Sequence, residues 1–141
     1  MLIQLAISTF MVLLTVAIHG SGLLLLARLL RFEQRDERME HISPTSLQGI
    51  AATFGVVLGL FILHGIEIWL YAALYLLLDA MPDLQMAVYF STITYATIGY
   101  DDKGLPEAWS LIAAIEGVNG VILLGWSTAF FVSMVGRLQS R

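Results

Sequence analysis

No charged side chain occurs between Met1 and Ala27, and Arg28 and Arg31 close the run. Such a stretch has few ways to fold. A helix rises about 1.5 Å per residue and the hydrocarbon core of a bilayer is about 30 Å thick, so about 20 apolar residues make one span. Two later runs share this character. Leu47 to Leu78 holds one histidine, His64, and one carboxylate, Glu67. As a helix it would reach roughly 48 Å, enough for a tilted span or one that emerges into water. Trp109 to Val135 is the third run, with Trp109 placed as an interfacial anchor and Arg137 and Arg141 beyond it. Composition agrees: 58% of residues are hydrophobic and 13% charged, against about half and a quarter in soluble domains. The expected class is an all-α membrane protein with three transmembrane helices.

The polar stretch Arg31 to His41 reads as a solvated helix extension that turns at Ser43-Pro44. Asp79 to Glu107 is too polar to span. Its first part, Leu84 to Thr94, still has helical character, with Pro82 suited to a first turn and Asp79 or Asp83 placed to cap or complement the start. A helix of about 12 residues is roughly 18 Å long, half a membrane deep, so a re-entrant helix is expected over 83–95. Irregular backbone must follow, and it survives at membrane depth only when buried in protein or lining a water-filled path. Arg28, Arg31, Arg35, Arg38, Arg137 and Arg141 fall on one side of this topology and Lys103 on the other. The positive-inside bias puts the N-terminus outside, and the 32–46 linker and C-terminus in the cytoplasm. The outer face then carries five carboxylates (79, 83, 101, 102, 107) against Lys103, an acidic mouth that concentrates cations.

Other classes find no support. With no cysteine, disulfides and thiolate metal sites are excluded. No basic patch suggests nucleic acid, and no phosphate loop, nucleophile triad or metal cluster suggests an enzyme or a cofactor. The N-terminus lacks a basic n-region, so the chain reads as mature from Met1. Few residues follow the last span, so no soluble ligand domain is expected. The first helix has no arginine repeat and is no voltage sensor.

A pore for a dehydrated cation must replace its water with oxygens, and successive backbone carbonyls aimed at one axis do this. The conformation needs positive φ, which glycine takes most readily. Thr97-Ile98-Gly99-Tyr100 supplies a hydroxyl, carbonyls and a glycine, with Ile98 and Tyr100 wedging the strand from outside. The stretch Thr94-Tyr-Ala-Thr-Ile-Gly-Tyr-Asp-Asp102 resembles the potassium-channel signature T-x-x-T-V-G-Y-G-D. The resemblance covers about 100 residues and extends to Gly120, at the place of that superfamily's inner-helix hinge, and to Gly125-Trp-Ser-Thr-Ala129 beyond it.

The resemblance implies a homotetramer in the plasma membrane with K⁺ as the permeant ion. It implies an N-terminal peripheral helix (1–31) and a pore domain (47–141) made of an outer helix (47–79), pore helix (83–95), filter (97–101) and inner helix (109–136). Thr97, Ile98, Gly99, Tyr100 and Asp101 would coordinate the ion, with Asp102 at the outer mouth. Val121, Leu124, Thr128 and Val132 would face the cavity, their spacing keeping them on one helix face. Asp101 departs from the pattern, standing where the superfamily has a second filter glycine. That substitution motivates an alternative, a weakly selective cation channel; a non-conducting channel-like subunit is a second.

Several residues leave two readings open. Gly120 is a hinge or a packing glycine. Glu116 lies in a span and supports the filter from behind, with Tyr95 or Tyr89 as candidate partners. Tyr89 and Phe90 would form a cuff that holds Tyr100. Asn119 lines the cavity or bonds a neighbouring helix. His64 and Glu67, three apart, share a helix face as a structural pair; a metal pair there lacks further ligands. His19 is expected to hydrogen-bond between helices, with pH sensing as its second reading.

Overall fold

The computed structural model describes residues 1–36, 47–99 and 104–139. Among these the regular structure is all helix: α1 (Leu2–Asp36), α2 (Leu47–Leu77), α3 (Leu84–Tyr95) and α4 (Ser110–Gln139), the last led by a 3₁₀ turn over Glu107–Trp109. Three segments are long and apolar enough to cross a membrane, Leu2–Leu29, Gly49–Leu77 and Glu107–Gly136. Helix is the form that satisfies every backbone group within the segment, which lipid demands. Their outward faces carry large apolar side chains such as Leu24, Phe54, Leu58, Phe61 and Ile62. The 37–46 part of the expected linker and the terminal residues Ser140 and Arg141 lie outside the described residues.

α1 and α2 interlock through glycine. A Cβ on Gly22 of α1 would meet the Leu63 side chain at 2.5 Å, and one on Gly59 of α2 would overlap Leu26. Each helix thus lends a leucine to the other's glycine, the close approach that drives helix association where water cannot.

α2 ends in a left-handed residue, Asp79, at φ +49°. The Ala80 amide donates to the Tyr75 carbonyl at 2.8 Å and the Asp79 amide to Leu76 at 3.1 Å. This is a Schellman end, and a short polar side chain tolerates the left-handed site. The chain then turns back. Asp83 caps α3, its carboxylate accepting from the Met86 amide at 2.8 Å. α3 has 12 residues, so it is roughly 18 Å long.

Its C-terminal end lies deep between α2 and α4. The Tyr95 hydroxyl is 3.0 Å from His64, which is roughly 20 Å along α2 from its end at Leu77. The Tyr95 carbonyl abuts Gly120, roughly 15 Å into α4. The buried face of α3 presents Ala87, Phe90, Ser91, Ile93 and Tyr95. Phe90 meets Tyr75 edge-on at 5.2 Å in a core shared with Met11, Ala72 and Ile112.

At Gly120 a Cβ would overlap the Tyr95 carbonyl itself, and backbone gives way less readily than a side chain. α4 runs through this position without interruption. Gly120→Ala is therefore expected to lower stability by about 1–3 kcal/mol through overpacking. Gly55, with nothing within 4 Å of its would-be Cβ, is the control: Gly55→Ala should be neutral or stabilising by up to about 1 kcal/mol. Thermal unfolding of both variants in detergent checks the contrast.

Candidate functional site

The end of α3 gathers the unusual backbone of the molecule. The last carbonyls of a helix need donors, and here the following residues provide them. The Ala96 amide donates to Thr92 (3.1 Å) and Thr97 to Thr94 (2.9 Å), while Ile98 and Gly99 both donate to Ile93 (2.8 and 3.1 Å). Residues 96–99 are exposed in the chain. Among the described residues no donor reaches the carbonyls of Thr97, Ile98 or Gly99. The segment thus turns its N–H groups inward and leaves its oxygens open.

The turn needs positive φ at two places, Thr97 (+58°) and Gly99 (+59°). Glycine was the residue expected to do this, and Thr97 is the surprise. A β-branched residue in the left-handed region is a true outlier, costing of order 1–3 kcal/mol, and such outliers cluster at functional sites. Its hydroxyl donates to the Ala96 carbonyl at 2.7 Å. Thr97 and Gly99 border an open recess of about 750 Å³ with Thr94, Ala113, Gly117 and Val118. Tyr100, Asp101 and Asp102 lie outside the described residues. Val121, Leu124, Thr128 and Val132 are all exposed on α4, with the Thr128 hydroxyl donating to the Leu124 carbonyl at 2.9 Å.

Behind the segment are three buried polar groupings. In the first, Glu116 is fully buried. It accepts from the Tyr75 hydroxyl and from the Ser91 hydroxyl, each at 2.5 Å. The partners expected for it, Tyr95 and Tyr89, are corrected. Tyr95 points to α2 instead, and Tyr89 is half-exposed on the opposite face of α3. Phe90 is buried against Tyr75. In the second, Asn119 donates to Thr15 at 2.8 Å and more weakly to Tyr71 at 3.4 Å, so it bonds neighbouring helices.

The third grouping centres on Glu67. It receives His19 from α1 at 2.9 Å and the Tyr95 hydroxyl from α3 at 2.5 Å, with His64 at 3.3 Å. The expectation that His64 and Glu67 lack a further ligand is also corrected. His19, 48 residues upstream, joins them, and one potential ligand atom from each of the three lies within 4.8 Å of the others. Sequence reasoning missed Thr15, Tyr71, Tyr75 and Ser91 as members of these groupings, and Ser127, whose hydroxyl lies 2.9 Å from His64 Nε2. The available signal was that polar side chains inside spans seek one another.

Residues 60–137 match a protein family described as ion channel. The match takes in most of α2, all of α3 and most of α4. Neither curated proteins nor solved structures give a significant match.

Replacing Glu116 separates shape from charge. Glu116→Gln keeps an acceptor for Tyr75 and offers Ser91 a donor, so thermal stability in detergent should stay close to wild type. Glu116→Ala leaves the buried Tyr75 hydroxyl without its partner, while Ser91 keeps the Ile68 carbonyl at 2.9 Å, and should cost about 1–3 kcal/mol.

Proposed function

The chain belongs to the ion-channel family, and on that footing we propose that it carries K⁺ passively across the plasma membrane through backbone oxygens of residues 97–100. The observation that carries this reading is the one-sided use of the backbone at 96–99. Every N–H there is engaged by the end of α3, and the exposed carbonyls of Thr97, Ile98 and Gly99 have no donor among the described residues. Oxygens in that condition can stand in for the hydration shell of an alkali cation.

One chain supplies one wall, so the working unit is a homotetramer around a four-fold axis, with Tyr100 and Asp101 continuing the column and Asp102 at the mouth. Val121, Leu124, Thr128 and Val132, all exposed in the single chain, would line the cavity below. Four α3 C-termini would aim partial negative charge toward it. Tyr89, exposed on α3, is then free to meet a neighbouring subunit. The N-terminus lies outside and the C-terminus in the cytoplasm.

Asp101 favours a second reading, a weakly selective monovalent cation channel. A carboxylate-bearing residue stands where the superfamily pattern has a second glycine, and in a tetramer four such carboxylates would lie near the outer mouth. Reversal potentials of the reconstituted protein in opposed K⁺ and Na⁺ gradients decide between them. Tracking the K⁺ equilibrium potential supports the first reading; current that reverses near zero supports the second. Tetramers that pass neither K⁺ nor thallium contradict both. Asp101→Gly is expected to raise the K⁺ over Na⁺ permeability ratio several-fold, and an unchanged ratio would remove the role given to Asp101.

A further inference from the structure

Five side chains drawn from all four helices close a ring. His19 Nδ1 meets Glu67 Oε1 at 2.9 Å. Glu67 Oε2 meets the Tyr95 hydroxyl at 2.5 Å, and that hydroxyl meets His64 Nδ1 at 3.0 Å. His64 Nε2 meets Ser127 Oγ at 2.9 Å, and Ser127 Oγ returns to His19 Nε2 at 3.3 Å. Each contact needs one hydrogen between its two heavy atoms. An ionised Glu67 with two neutral imidazoles gives four hydrogens, one each from His19, His64, Ser127 and Tyr95. Five contacts then share four hydrogens. One contact would oppose two lone pairs, and the ring, buried but for the 13% exposure of His64, would hold an uncompensated negative charge, an expensive combination at such burial.

We propose that this ring is a binding site for one additional proton, and that the proton-bound, electrically neutral ring is what ties α1 to the end of α3. The fifth hydrogen completes the circuit in either sense. With Glu67 ionised, His64 donates from both nitrogens, to Tyr95 and to Ser127. With Glu67 protonated, its hydroxyl donates to His19 and each imidazole donates once. Both forms satisfy all five contacts and carry no net charge.

A metal ion fits less well, although His19, His64 and Glu67 could each offer an atom. Two ligands bound at about 2.0–2.1 Å to tetrahedral zinc stand about 3.3–3.4 Å apart. His19 and Glu67 are closer, at 2.9 Å, and all four imidazole nitrogens already have partners in the ring. The spacing is that of hydrogen bonds. The other titratable groups that bear on the ring are Tyr71 from α2 and Glu116 from α4; α1 brings His19 and α3 brings Tyr95. Tyr71 is bonded to Asn119, and Glu116 to Tyr75 and Ser91, so neither changes the count. The count also stands whichever ion the protein passes.

Glu67→Gln isolates the claim. The amide accepts from Tyr95 and donates to His19, so five hydrogens are present with no added proton. The test uses the full chain in detergent at pH 7, with His41→Gln removing the third histidine. Nitrogen-15 NMR reads the hydrogens on His19 and His64, and infrared reads the Glu67 carboxyl. The expected result in the Glu67 protein is one imidazole hydrogenated on both nitrogens, or a protonated-carboxyl band that Glu67→Gln abolishes. In Glu67→Gln both imidazoles should be neutral, with one hydrogen each. Two neutral imidazoles beside an ionised Glu67 would overturn the proposal, as would a doubly hydrogenated imidazole that persists in Glu67→Gln. Should Glu67→Gln not fold, Glu67→Asp identifies the same carboxyl by shifting its band.

Discussion

A helix that stops inside a membrane must find donors for its last carbonyls, and everything distinctive in this molecule follows from how α3 solves that problem. Its end lies some 15–20 Å along its two neighbours. The amides of residues 96–99 fold back onto Thr92, Ile93 and Thr94. That geometry obliges Thr97 into a left-handed conformation unsuited to a β-branched side chain. The same step that satisfies the helix leaves the oxygens of the next residues pointing elsewhere. Satisfying α3 and presenting carbonyls are one structural event.

Strain of this kind persists only where the surroundings over-determine it. Here the surroundings are polar bonds inside a bundle of apolar helices. Tyr95, the last residue of α3, is held by its hydroxyl to Glu67 and His64 and by its carbonyl against Gly120. One turn earlier, Ser91 is anchored to Glu116 and to the Ile68 carbonyl at 2.9 Å. α1 takes part as well, through His19 to Glu67 and through Thr15 to Asn119. α1 therefore has a physical role: it completes the polar contacts behind the strained turn.

The three spans were legible because apolar runs of such length with at most one carboxylate each have almost no alternative. The cap at Asp83 was legible for a local reason, an acidic side chain just ahead of a helical stretch. What could not be read was which buried polar groups meet. His64 and Glu67 announce themselves as neighbours by their spacing, whereas His19 reaches them from α1, a helix that packs on α2 through Gly22 and Gly59. Glu116 was matched to tyrosines near the pore loop, but helical phase turns Tyr89 outward and delivers Ser91 instead. Thr97 was hidden for the opposite reason. Local preference points to glycine for positive φ, and the demand of the α3 terminus overrides it two residues earlier, at Thr97.

The central claim is that the open carbonyls of Thr97, Ile98 and Gly99 take the place of water around a potassium ion. Carbonyl carbon-13 NMR of the reconstituted protein, labelled at those three residues, tests it directly. Replacing Na⁺ by K⁺ should move these resonances in a saturable way while carbonyls in the middle of α1 stay fixed. Resonances at 97–99 that are indifferent to K⁺ over the full titration would contradict the account.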